Sequence, residues 1–69
     1  MRFFVQVLFD ANGAEVGKGT TTYTSMDEAE KAFHTALASA IGKAEYSKAI
    51  AMIFDESGTV VMRRVWERN

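Results

Sequence analysis

Ser25-Met26-Asp27-Glu28-Ala29-Glu30-Lys31-Ala32-Phe33-His34-Thr35-Ala36-Leu37-Ala38-Ser39-Ala40-Ile41-Gly42 is the stretch on which the architecture turns. Ser25 followed three residues later by Glu28 is a capping box, in which the serine oxygen and the glutamate carboxylate each satisfy an otherwise unpaired backbone N–H. Asp27, Glu28 and Glu30 put negative charge at the positive end of the helix dipole. Met26, Ala29, Phe33, Ala36, Leu37, Ala40 and Ile41 recur at helical spacing and form one apolar stripe. Gly42 stands where a left-handed C-cap residue is expected, and Lys43 follows it. The spacing predicts a helix of about 16 residues, roughly 24 Å long, close to the length of a seven-residue strand.

On the N-terminal side, Phe3, Val5, Val7 and Phe9 alternate with Arg2, Phe4, Gln6 and Leu8, which gives a strand whose second face is also partly apolar. Asp10 to Ala14 contains Asn12-Gly13 and reads as a hairpin turn, because both residues tolerate positive φ. Glu15 to Thr24 is threonine-rich with Gly17 and Gly19, the composition of a half-exposed edge strand in which glycine weakens pairing or marks a bulge. On the C-terminal side, after a loop over Lys43 to Ser47, Ala49 to Phe54 is nearly continuously apolar. That predicts a central strand covered on both faces. Asp55-Glu56-Ser57-Gly58 forms a second hairpin loop with Gly58 at its left-handed position. Thr59 to Trp66 is the last strand, and residues 67–69 are expected to fray.

Two hairpins joined by a helix give an α+β fold. It is a single ββαββ domain over residues 1–69, with a four-stranded antiparallel sheet and one helix on one face. Placing the first strand between the second and third makes every neighbouring pair antiparallel, in the order 2-1-3-4, and right-handed crossover permits it. One helix covers one face. Yet strands 1, 3 and 4 carry large apolar residues at both parities, such as Phe3 and Phe4, Met52 and Ile53, Val61 and Met62. Part of the set Phe4, Leu8, Ala51, Ile53, Val61 and Val65, or else the opposite set, must face outward. A contiguous apolar patch on a protein surface marks an interface. Phe4, Leu8, Ile53, Val65 and Trp66 are the expected contact residues.

Composition narrows the function classes. At 69 residues the chain buries only about 60% of the surface its unfolded form exposes, and small domains usually gain stability from disulfides, metals or association. It has no cysteine, which excludes disulfides and thiolate zinc sites, and His34 is its single histidine. Self-association, as a homodimer or higher homo-oligomer, is the remaining route. A net charge of −1 offers no general attraction to nucleic acid or to an anionic membrane. No apolar run approaches the roughly 20 residues of a membrane span. The strand-like opening lacks the pattern of a signal peptide, so a cytoplasmic location is expected.

No group of residues converges on catalysis. Gly17-Lys18-Gly19-Thr20 lacks the spacing and the following helix of a phosphate loop. His34 falls off the apolar stripe and has no nucleophile to serve. Asp27/Glu28 and Asp55/Glu56 occupy a helix N-terminus and a turn, where acids have structural reasons to be. The expectation is a non-enzyme without cofactor or metal. Arg63, Arg64, Trp66 and Arg68 are the most suggestive cluster. Arg64, Trp66 and Arg68 share a strand face and Arg63 points to the other. Three readings stay open for them: charge protecting a terminal edge strand, a protein hot spot, or nucleotide or nucleic-acid contact with Tyr23 or Trp66 stacking on a base.

The chain also resembles a loose class of small phage and mobile-element proteins from bacteria. The resemblance lies in the opening Arg2-Phe3-Phe4-Val5-Gln6-Val7-Leu8-Phe9-Asp10 and the turn at Asn12-Gly13. It continues through the helix with Ala32-Phe33-His34 and its Leu37/Ile41 face, the strand Ala51-Met52-Ile53-Phe54-Asp55 and the closing Arg64-Val65-Trp66. It implies a phage-encoded accessory protein, for example an anti-defence or anti-CRISPR factor acting on a larger protein target in the host cytoplasm. It equally implies a nucleotide-sequestering protein, or a minor virion-assembly component. The binding protein that self-associates is the leading expectation. Sequestration of a nucleotide signal between protomers by Arg63, Arg64, Arg68 and Tyr23 is the alternative.

Overall fold

A computed structural model describes residues 1–68. The helix, α1, runs Met26–Ile41. Ser25 is extended (φ −126°, ψ 135°), and its Oγ accepts the Glu28 N–H at 3.5 Å while its carbonyl takes the Ala29 N–H at 3.1 Å. The C-terminus differs from expectation. Gly42 is right-handed at φ −75°, and its N–H still donates to Ala38 O at 3.0 Å. No left-handed reversal closes the last turn, so its remaining carbonyls need another donor. Arg68 supplies it from the far end of the chain. Its Nη2 donates to Ile41 O at 3.1 Å and Lys43 O at 3.0 Å, and its Nε to Tyr46 O at 3.0 Å.

The strands are β1 (Phe3–Ala11), β2 (Ala14–Tyr23), β3 (Lys48–Asp55) and β4 (Val60–Glu67). They form one antiparallel sheet in the order β2-β1-β3-β4, so the architecture is the ββαββ α+β fold that the sequence predicts. Asn12 (φ 54°) and Gly13 (φ 78°) make the two-residue turn between β1 and β2, both left-handed as a type I′ turn requires. Gly58 (φ 88°) takes the corresponding position between β3 and β4. Each edge strand carries one irregularity. The β1–β2 register shifts at Phe9/Asp10, leaving Val16 as the extra residue, and the β3–β4 register shifts at Ile53/Phe54, leaving Val61 extra.

Packing selects which parity of each strand meets the helix. Val5, Ala49, Ala51 and Ile53 are buried against Ala29, Phe33, Leu37 and Ala40 of α1. Alanines on both layers let helix and sheet approach closely, and Ile53 and Phe33 fill what remains, with relative exposures of 0% and 2%. Phe3, Val7, Phe9, Tyr23, Met62 and Trp66 pack around that core on the same side. Ile41 is an exception to the predicted stripe: it is 46% exposed, beyond the end of the sheet contact. Expected fraying at the C-terminus is also corrected where it is described. Glu67 lies within β4 and the Arg68 N–H donates to Ser47 O at 2.9 Å, while Asn69 lies outside the described residues. No helix among the described residues is long and apolar enough to cross a membrane.

Candidate interaction face

The β1–β3 pairing decides what lies opposite the helix. Val5 pairs with Ile53 and both point to α1, so Phe4, which pairs with Phe54, points away, as does Leu8, which pairs with Ile50. Read across all four strands, the uncovered face has three rows that are apolar at β3, two of them apolar at β1 as well. The first is Thr22, Phe4, Phe54 and Val60; the second Thr20, Gln6, Met52 and Arg63; the third Lys18, Leu8, Ile50 and Val65. A fourth row, Asp10, Lys48 and Glu67, is charged throughout. The Phe4 and Phe54 rings stack with centroids 5.4 Å apart and planes 25° apart, an offset pair that braces one end of the patch. Neighbours on the sheet leave Phe4, Leu8, Ile50, Met52 and Phe54 half-buried, whereas Val60 and Val65 at the β4 edge are 52% and 37% exposed.

Three of the contact residues expected from sequence, Phe4, Leu8 and Val65, are on this face. Two are not. Ile53 is fully buried beneath α1, and Trp66 pairs with Ala49 on the helix side, where it packs against the core. The same parity places Ala51 inside as well. The expectation that β3 is covered on both faces is corrected too: Ala49, Ala51 and Ile53 are buried, but Ile50, Met52 and Phe54 have no layer over them within the chain. Those three are the functional candidates that sequence reasoning missed. Their signal was the small–large alternation Ala49-Ile50-Ala51-Met52, which sets small residues against an alanine-rich helix.

The four residues considered for anion or nucleotide contact do not converge within one chain. Tyr23 is on β2 and the arginines follow β4, at opposite edges of the sheet. Arg63 pairs with Met52 on the open face, and Arg64 pairs with Ala51 on the helix side. Arg68 is committed to the carbonyls of Ile41, Lys43 and Tyr46, with its guanidinium 4.8 Å from the Trp66 ring centroid. Tyr23 instead borders an open groove of about 420 Å³ with Glu28, Lys31, Ala32, Thr35 and Ala36.

Other polar groups serve local structure. His34 is exposed and sits edge-on to the Phe33 ring, 5.2 Å between centroids. Gly17-Lys18-Gly19 lies within strand β2 rather than ahead of a helix. Asp55 Oδ1 accepts from the Ser57 hydroxyl, the Ser57 N–H at 3.0 Å and the Thr59 N–H at 3.1 Å. The Ser57 hydroxyl, then the Thr59 N–H, hold its carboxyl below the usual carboxylate value. Glu56 Oε1 accepts the Arg2 N–H. Among the described residues, no group of three or more histidine or acidic side chains is placed to hold a metal. No family model, curated protein or solved structure matches the chain.

Proposed function

We propose that this chain is a non-enzymatic binding protein whose working surface is the open face of the sheet, acting by covering or organising a larger protein. The observation that carries the reading is the apolar patch centred on Phe4, Phe54, Met52, Leu8 and Ile50, opposite a face that one helix already serves. Contiguous apolar surface of this kind is costly in water unless something covers it, and on natural proteins it marks an interaction site. Two sides of the patch fit that role: threonines and Lys18 line the β2 margin, and Asp10, Lys48 and Glu67 one end, as the polar rim of an interface does, while Val60 and Val65 carry the apolar surface to the β4 edge. The resemblance to phage accessory proteins supports the finer reading, a host-directed factor of the anti-defence kind.

The test is capture from bacterial lysate on immobilised chain, with Met52→Glu on the open face and Lys31→Ala on the exposed side of the helix as paired variants. Circular dichroism first establishes that both are folded. A partner held by the original chain and by Lys31→Ala, and released by Met52→Glu, is the expected result. Capture indifferent to Met52→Glu, or no specific capture at all, rejects the reading.

A further inference from the structure

We infer that a second copy of this chain seats on the open face, sheet against sheet, about a two-fold axis that crosses the strands at the Gln6–Met52 row. The inference rests on the open face being the working surface and adds its first occupant and the geometry.

The size of the face fits a weak pairing with a copy of the chain itself. Four strands at about 4.8 Å spacing and rows from Phe4 to Leu8 give an outline of about 19 by roughly 20 Å once side-chain overhang is included. The accessible area of such a surface exceeds its outline. Two such outlines come to about 760 Å², so even with side-chain relief added the pair belongs with the weak, concentration-dependent interfaces below about 1,200 Å². Two sheets of this kind pack about 10 Å apart with strands within roughly 30° of alignment.

Charge placement selects the axis. Turning a copy about a line across the strands at the middle row sets Phe4 over the copy's Leu8, Phe54 over its Ile50, Val60 over its Val65 and, in the outer β2 column where its ammonium reaches water, Lys18 over its Thr22. Thr20 meets Thr20, and Gln6 meets Gln6, whose amide both donates and accepts. The charged row of Asp10, Lys48 and Glu67 falls beyond the overlap and keeps its water. An axis along the strands does worse. It lays β2 on β4 and β1 on β3, so Asp10 meets the copy's Lys48, but Lys18 is pressed onto the copy's Val65 and Glu15 onto its Glu67, and the whole charged row loses its water at a cost that its ion pairs need not repay. The preferred axis brings one like pair together, Arg63 with Arg63. These sit in the outermost column, where a long side chain reaches water.

The chain has no cysteine, so a single introduced thiol reports the geometry without background. Thr20 and Thr22 are both exposed on edge strand β2, and substitution at either leaves the core untouched. With the axis at the middle row, two Thr20→Cys sites lie about 10 Å apart, whereas two Thr22→Cys sites are displaced a further row in opposite directions, to roughly 16 Å. Light scattering over a concentration series to about 1 mM should show a dimer. A short bis-maleimide should link Thr20→Cys several-fold more than Thr22→Cys. Met52→Glu should weaken the dimer at least tenfold. Equal linking of the two thiols overturns the axis. A strict monomer overturns the inference altogether. If such a monomer still captured a protein in a Met52-dependent way, the binding role would stand without self-docking; loss of both would remove both.

Discussion

The two faces of the sheet use the same strands in opposite ways. On the helix side β3 contributes Ala49 and Ala51, each 1% exposed, and a single large residue, Ile53. On the open side the same strand contributes Ile50, Met52 and Phe54, all half-buried, beside Phe4 and Leu8 of β1. Along β3, Ile53 apart, size and burial are inverted: Ile50, Met52 and Phe54 sit where no layer of the chain covers them, while the alanines lie beneath the helix. The helix explains this. A rod studded with Ala29, Ala32 and Ala40 packs densely only if the sheet beneath it is low, so close approach selects alanines and displaces the bulky residues to the other parity. Apolarity shows that a strand is buried somewhere; side-chain volume shows against what.

The sharpest way to break this contrast is to truncate one aromatic on each face. Phe33→Ala empties a fully packed site and should cost about 3–5 kcal/mol, comparable to the entire stability of a marginal domain at the low end of about 5–15 kcal/mol. Phe54→Ala removes a ring that water already reaches, and in the monomer it should cost less than half as much. Urea unfolding followed by circular dichroism, at concentrations below any association, compares the two. Similar losses would mean that the faces are not energetically distinct.

Overpacking sharpens the same point from the other direction. Ala51→Leu forces bulk between β3 and α1 and should destabilise by about 1–3 kcal/mol. Gln6→Leu on the open face has room above it. It should leave monomer stability within about 0.5 kcal/mol while strengthening association, read as a shift in the light-scattering midpoint. A destabilised Gln6→Leu monomer would show the open face to be more tightly packed than its half-burial indicates.

Why the faces were only partly legible follows from which signals are local. The helix bounds came directly from Ser25, Glu28 and the apolar stripe, all within one element. The order β2-β1-β3-β4 came from hairpin adjacency and crossover handedness. Face membership depends on how β1 aligns with β3, and the register pairs Phe4 with Phe54 and Val5 with Ile53, about 50 residues apart, beyond the reach of any local pattern. Grouping Phe4 and Leu8 with Ala51 and Ile53 mixes the two faces, because β1 is large and apolar at both parities. Arg68 illustrates the same limit. Just past β4 it looks like a free guanidinium; its partners at Ile41, Lys43 and Tyr46 lie between 22 and 27 residues away, at a helix end whose need for a donor is invisible until Gly42 proves right-handed.

That arginine gives the next comparison, between a guanidinium just past the end of β4 and one within it. Arg68→Ala strips the donors from carbonyls at the end of α1 and should cost about 1 kcal/mol, the value for a partly solvated hydrogen-bond set. Faster amide exchange in the last helical turn should accompany it. Arg63→Ala on the open face, away from such features, should change monomer stability by no more than about 0.5 kcal/mol. Equal effects would place the helix end's stability elsewhere than in Arg68.

The smallest expected effect separates the two hairpins and returns to the open face through its aromatic end. The β1–β2 turn is held by the backbone geometry of Asn12 and Gly13, which has no proton to lose. The β3–β4 turn is tied by the Asp55 carboxylate to Ser57 and Thr59, next to Phe54 and Val60 on the open face. Because these bonds favour the ionised form, the folded pKa lies below the ordinary value of 3.8. A lowered carboxyl pKa contributes stability that is fully present above the unfolded value, and this contribution is lost as pH falls through the folded one. Titration from pH 5 downward should therefore leave amide protection at Gly13 and Ala14 unchanged by this carboxylate, while protection at Ser57 and Thr59 falls below about pH 3.8. Asp55→Asn should abolish that difference between the turns. Its persistence in Asp55→Asn would assign the acid response to another group. Its absence from the original chain would mean that the turn, and the register it gives Phe54 and Val60, is held by the backbone of Gly58 alone.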